Sequence, residues 1–342
     1  TAGLPEPRPS DVPAPIEDWA YRTAWTPEDT ATAEPPGALR SEDWLLLADG
    51  GGAANALARH LQAGGAICRQ IDPDASINQL VGALGAPGTA DGARPLQVCA
   101  LWPLDLPYAG DADTVAVMRT ADALSARLLA LVQAAARSDR PLALWLVTRT
   151  AAVGTVAVRP DGLATALVQG FGRSIRQEHS DWTLRLVGVD GTAEDVARDL
   201  LAEWARTPAA EVAWIEGRRH LRCLVPAPLP ARSEPARLEH SWLVAGGLGQ
   251  LGLAIADWLV ARGVRHLLVT ARHDPSAEAG ARLANLRAQG AEVRTVAADV
   301  ADTAALKATL DAIPADWPPL AGVVHAAGVR DDRLLHQATP TS

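Results

Sequence analysis

The chain has 342 residues, 48% of them hydrophobic, and 40 Asp and Glu against 31 Lys and Arg give it a formal net charge of −9. That length predicts two domains of ordinary size with ample core material, and the acidic balance argues against a nucleic-acid or anionic-membrane surface. Every apolar run is interrupted short of membrane-spanning length, and Cys68, Cys99 and Cys223 form neither a CxxC pair nor a zinc spacing, so reduced thiols and no metal centre are expected.

Residues 1–17 are rich in Pro and acid and read as a linker. They offer neither a basic n-region nor an apolar h-region, so no signal peptide is expected and a cytoplasmic location fits. From Asp43 short apolar runs alternate with longer amphipathic ones. "DWLLLAD" reads as a strand and "AANALARHLQAGG" as a helix ending at Gly64-Gly65. "AICRQID" and "LQVCALWPLD" are further strands, with a loop at 82–95 between them. A long helix, "DTVAVMRTADALSARLLALVQAAARSD", leads to the strand "PLALWLVTR". The next helix, "PDGLATALVQGFGRSIRQEHSD", starts at Pro160 and Asp161, as helix starts favour. "TLRLVGVD", a helix over 193–206, "EVAWIEG" and "RHLRCLVP" complete a series that predicts a mostly parallel α/β sheet.

Proline and charge break the pattern at 226–240, which reads as a second linker. A new α/β series follows over 241–342: strands "WLVAG", "HLLVTAR", "EVRTVAADV" and "AGVVHAAG", with helices "GQLGLAIADWLVARG", "AEAGARLANLRAQG" and "DTAALKATLDAI" between them. The expected fold is therefore α/β, two tandem Rossmann-like units, the first at 18–225. "WLLLADGGGAANALARHLQAGGAICRQID" can be laid on "WLVAGGLGQLGLAIADWLVARGVRHLLVTAR", which reads as an internal duplication, the alternative being the periodicity that all βαβ units share.

Gly247-Leu248-Gly249-Gln250-Leu251-Gly252 fits G-x-G-x-x-G between a strand and a helix, the context a dinucleotide fingerprint requires. The first glycine serves the tight turn, the second the approach of pyrophosphate, and the third the packing of helix on sheet. Pyrophosphate then sits on the helix N-terminus. Gly50-Gly51-Gly52 occupies the matching place in the first unit without that spacing, so a structural, cofactor-free turn is expected there. Arg272 follows the second strand, where an acid would suit NAD and an arginine suits the 2′-phosphate of NADPH. Asp299, followed by Val300, stands where an acid accepts from the adenine amino group. Ala326, Ala327 and Gly328 leave room beside the nicotinamide, while His325 reads as packed or solvated.

These segments together resemble the ketoreductase domain of a modular polyketide synthase, a relative of the short-chain dehydrogenase/reductases. "DWAYRTAW" is similar to that family's opening strand and "LVQGFGRSIRQEHSDWTLRLVGVD" to its helix-to-strand segment. "WLVAGGLGQLGLAIADWLVARG", "LLVTAR", "AADV" and "VVHAAGV" resemble its cofactor motifs in order. The resemblance implies a cofactor-free structural subdomain, NADPH on the residues named above, and reduction of a β-keto group carried by an acyl carrier protein among other synthase domains. "VRDD" resembles the Leu-Asp-Asp motif that guides substrate in B-type members, with Arg330 in place of leucine and Asp332 as the guiding acid. Ala245 stands for a common Thr and Gln250 for a small residue, either tolerated on the helix surface or crowding the cofactor.

The family's catalytic Ser, Tyr, Lys and Asn follow the "HAAG" segment. Here Tyr21 and Tyr108 both precede the glycine turn, Lys307 is the one lysine, and Ser342 is the one serine after Ser276. No catalytic residue is therefore assigned, and the chain as given is expected to be the incomplete, inactive part of an enzyme. The alternative is a non-catalytic pseudo-ketoreductase that supports a megasynthase; an epimerase-like reductase leaves the first unit unexplained. A half-built sheet also predicts low solubility or a covering partner.

Overall fold

The structure, a computed structural model, describes residues 20–28, 39, 42–72, 74–84, 95–105, 114–138, 141–150, 162–206, 209, 211–227, 237–329 and 332–339. The linker at 1–17, most of that at 226–240, the helix start at Pro160 and Asp161, and Tyr108, Arg330 and Ser342 lie outside the described residues. Two compact units form, one from residues 20–227 with 332–339 and the other from 237–329. Residues 332–339 thus pack with the first unit, although they follow the last strand of the second.

The first unit runs β1 (Tyr21–Pro27), β2 (Asp43–Leu47), α1 (Ala53–Ala63), β3 (Ile67–Ile71), α2 (Ile77–Leu84) and β4 (Leu96–Ala100). It continues with α3 (Thr114–Ala135), β5 (Leu142–Arg149), α4 (Gly162–Glu178), β6 (Thr183–Val189), α5 (Ala193–Trp204), β7 (Glu211–Ile215) and β8 (Arg218–Pro226). Its eight-stranded sheet has the order β1-β8-β7-β6-β5-β4-β2-β3. Strands β2 to β7 are parallel, while β8 and β1 close one edge antiparallel. Strands β2, β4 and β5 are buried on both faces, which is why they read as mostly apolar runs, with Gln97 of β4 bonded to Trp145 Nε1 at 2.9 Å. Trp145 and Val147 face α1 and α5, and Leu142, Leu144 and Leu146 face α3 and α4. The expected loop at 82–95 begins later than the sequence suggested, because Gly82–Leu84 finish α2, whose Leu80 and Leu84 are buried. Packing overrides the glycine there.

One ionic knot crosses the first unit. Glu203, fully buried on α5, accepts from Arg219 Nε at 2.6 Å and Nη2 at 2.9 Å and from Trp214 Nε1 at 3.1 Å. Arg219 also donates to Glu28 at 2.6 Å, and Arg185 on β6 donates to the Glu203 carbonyl at 2.7 Å. A bidentate guanidinium and an indole N–H meet the carboxylate's needs, so the buried charge is tolerable only while all partners stay.

The second unit runs β9 (Ser241–Ala245), α6 (Gln250–Ala261), β10 (His266–Ala271), α7 (Ala277–Ala288), β11 (Glu292–Ala297), α8 (Thr303–Asp311) and β12 (Leu320–His325). Its sheet is wholly parallel, in the order β11-β10-β9-β12. Val244, Leu267 and Val269 pack beneath Leu259, Leu283 and Leu286 of α6 and α7, while Leu243 and Leu268 meet Trp317 on the other face. Ser276 caps α7 and Asp302 caps α8, each side chain accepting from first-turn N–H groups. The chain leaves β9 for β10 and β11 and returns on the other side as β12. A ligand crevice belongs where the strand order reverses in this way, at the carboxyl ends of β9 and β12.

Two stability predictions follow from the first unit. Glu203→Ala leaves Arg219 and Arg185 buried without their carboxylate and should lower its unfolding free energy by about 3–5 kcal/mol in urea melts; a loss near zero would refute the knot. Burial pushes the Asp199 carboxyl up to about 6, with Arg198 only partly opposing it. The folded state therefore holds that proton more tightly than the unfolded chain, and stability falls as pH rises from about 4 through 6. Asp199→Asn should raise the Tm at pH 7 and leave it unchanged at pH 4, read by calorimetry at both values.

Candidate functional site

At the carboxyl ends of all four strands of the second unit lies a cavity of about 720 Å³. The β9 turn contributes Gly246, Leu248 and Gly249, and the end of β10 contributes Thr270 to Asp274 with Ser276. Residues 298–301 after β11 and 325–329 after β12 close it.

The glycines divide the work. Gly246 has φ 71°, and a Cβ on it would lie 2.6 Å from Ala327 N and 2.7 Å from the Ala326 carbonyl carbon. Only glycine allows that left-handed turn against the β12 exit. A Cβ on Gly247 would strike Val269 at 2.6 Å, and one on Gly252 would lie 2.5 Å from both Gly246 O and Gly247 Cα. Those two glycines pack the turn and the helix together behind the cavity wall. Gly249 differs: it lines the cavity, and an added Cβ would meet only Gly246 O at 3.4 Å. Gly249 is also the N-cap of α6 and offers no side-chain cap, so the helix presents its positive end to the cavity.

The matching turn of the first unit is filled from within. Asp49, 9% exposed, accepts from Ala53 N at 3.0 Å and Ala54 N at 2.7 Å, and Asp105 accepts from Gly50 N at 2.6 Å. Asp49 thus holds two N–H groups of the α1 start, and Asp105 one in the turn before it, where an anion would need them free. Counted from Trp44 and Trp242, Asp49 stands where Gly247 stands in the second unit.

Of the residues singled out in the sequence, Leu248, Gly249, Arg272, Asp299, Val300, Ala326, Ala327 and Gly328 form the wall. Gly247 and Gly252 lie behind it, while Gln250 and Leu251 are exposed on α6 away from it. Gln250 therefore does not crowd the cavity. Asp332 is exposed and packs with the first unit. Arg272 is exposed and makes no ion pair or hydrogen bond among the described residues. One oxygen of Asp299 accepts from Ala301 N at 3.0 Å, which fixes the turn after β11. Sequence reasoning missed Gly246, Thr270, Asp274, Ser276 and Val329; the positive φ of Gly246 has no signature inside the fingerprint, and Asp274 lies past the position the motif points to. Among the described residues no group of acids, His or Cys forms a metal site and no helix is long and apolar enough to cross a membrane.

Residues 241–342 match the KR domain family. The polyketide synthase GfsA of Streptomyces halstedii is 32% identical over 312 residues, 79% of this chain and 4% of its own length. The pikromycin polyketide synthase component PikAIII of Streptomyces venezuelae is 32% identical over 91% of this chain and 19% of its own length. The chain thus spans a small fraction of the curated relatives it matches. A C2-type ketoreductase from a modular polyketide synthase superposes with a TM-score of 0.66 at 25% identity, covering 95% of this chain and 68% of that structure.

The division among the glycines is testable. Gly252→Ala, whose Cβ meets only backbone, should destabilise the second unit by at least about 1–3 kcal/mol, whereas Gly249→Ala should melt like the parent and lose nucleotide binding. Thermal melts and nucleotide titration of both variants decide it, and equal melting of the two would sink the distinction.

Proposed function

Because the chain is a ketoreductase domain of the polyketide synthase kind, a family that takes nicotinamide cofactors, we propose that its second unit binds NADPH in this cavity. In this reading it serves, within a larger synthase, the reduction of a β-keto group on an acyl chain held by an acyl carrier protein. Bound NADPH supplies the hydride. The observation that carries the reading is the contrast between the two glycine turns: the α6 start is free of side-chain caps at the cavity, and the α1 start is filled by Asp49 and Asp105.

The residues then take distinct parts. Gly249 lets the pyrophosphate reach the helix start, where N–H groups and the dipole favour anions. Arg272, unpaired on the wall, meets the 2′-phosphate through a charge-assisted contact. Asp299 keeps a second carboxylate oxygen for the adenine amino group, and the small residues 326–328 admit the nicotinamide ring. Asp332 guides the acyl chain. No tyrosine or lysine lines the described cavity wall, and Lys307 on α8 pairs with Asp311 at 2.7 Å. Residues 1–342 by themselves are accordingly expected to bind NADPH without reducing a β-keto thioester.

Asp274 on the same wall supports a second reading, in which an acid near the adenosine ribose favours NADH. Titration of both cofactors by fluorescence separates the two. Arg272→Ala should weaken NADPH by about 10- to 100-fold and leave NADH binding unchanged. Equal loss for both cofactors, or none for either, would overturn the role given to Arg272.

A further inference from the structure

The chain beyond β12 is gripped by the first unit. Leu335 packs against the apolar layer between α3, α4 and the sheet. Its N–H donates to Glu178 Oε2 at 2.7 Å. Gln133 Nε2 donates to Leu335 O at 3.3 Å and to Ala338 O at 3.0 Å. Within the segment, Gln337 N and Ala338 N close a turn on Leu334 O at 2.8 and 3.0 Å. An acceptor meets the segment's N–H and a two-armed donor meets its carbonyls, so the grip is on main chain, with Leu335 as an apolar anchor.

Neither polar residue is explained by its own helix. Glu178 ends α4, where a carboxylate opposes the helix dipole and a cation is favoured. Gln133 interrupts a run of buried residues on α3 that includes Leu131, Val132, Ala134 and Ala135. Both make sense as the two poles of a seat for the 335–338 turn. Asp332 lies three residues before Leu335, in the same segment.

We propose that Gln133 and Glu178 are positioning residues. By clasping the main chain at 335–338 they hold the segment that carries Asp332, the residue that guides the acyl chain in the function proposed above. The guiding role of Asp332 is taken from the proposed function above; the clasp itself stands on the contacts alone.

The full chain tests both parts. Hydrogen exchange by mass spectrometry reads the clasp. Gln133→Glu, which replaces a donor by an acceptor of the same shape, and Glu178→Ala should speed exchange across 332–339 by about tenfold, leaving β5 and β6 unchanged. Glu178→Gln, which keeps an acceptor oxygen, should restore slow exchange. Unaltered exchange in both disruptive variants, with both folded, overturns the clasp. Positioning is read by binding of a β-keto N-acetylcysteamine thioester to the NADPH-loaded chain. Gln133→Glu and Asp332→Ala should each weaken it several-fold, and the double variant should be no weaker than Asp332→Ala, because one acts through the other. Additive losses overturn the positioning role. If Asp332→Ala has no effect on thioester binding, the guiding role of Asp332 fails, and the exchange rates still decide the clasp.

Discussion

The first turns of α1 and α6 end the same path of strand, glycines and helix, and what separates them is the partner of their N–H groups. Every helix start leaves four such groups without an intrahelical acceptor. In the first unit Asp49 accepts from two of them, Ala53 N and Ala54 N, and Asp105 accepts from Gly50 N in the turn just before, so two negative charges rest where the helix dipole welcomes them. An incoming phosphate would have to displace those carboxylates and sit against them. In the second unit glycine stands at the place of Asp49, the cap carries no side chain, and the cavity opens onto the helix end. One architecture thus yields a self-sealed structural turn and an anion-ready turn, by the presence or absence of internal carboxylates.

The rest of each unit serves that difference. In the second, β9 lies between β10 and β12, so its turn meets loops from both sides, and the φ of 71° at Gly246 lets the β12 exit lie against it. In the first, a buried ion pair ties the sheet's antiparallel edge in place. Glu203 and Arg219 tie α5 to β8, and a two-residue turn with positive φ at Glu216 and Gly217 joins β7 to β8. Its reactive groups are quiet too: burial raises the thiols of Cys68, to about 11, and Cys99, so neither is ionised near neutral pH.

Much of this was legible in the chain. Strands buried on both faces write themselves as apolar runs, and the alternation with amphipathic stretches carries the α/β class in both units. The fingerprint and Arg272 point to the cavity because their spacing is local. What stayed hidden is what depends on distant pairing. Asp105 meets Gly50 across 55 positions, and nothing in either segment announces the other. Helix α2 is short and contains Gly82, so its existence rests on the buried Leu80 and Leu84 and not on propensity. The fingerprint glycines look equivalent in sequence, yet the structure gives packing to Gly247 and Gly252 and the cavity wall to Gly249. The fate of the residues after β12 was equally illegible, since Gln133 and Glu178 recognise main chain, which carries no sequence signal.

The pairing of β1 with β8 has a consequence for how the molecule comes into being. Thr23 and Ala24 align with Leu224 and Cys223, so β1 finds its partner only after all the parallel strands of the first unit have been made. Closing so long a loop costs little extra free energy but slows the search. Leu335 reaches the first unit's core later still, after β12 of the second unit has been synthesised. The first unit therefore gains its last segment only after β12 of the second has been made, and the births of the two are interleaved in time, contrary to the usual domain-by-domain order of a growing chain.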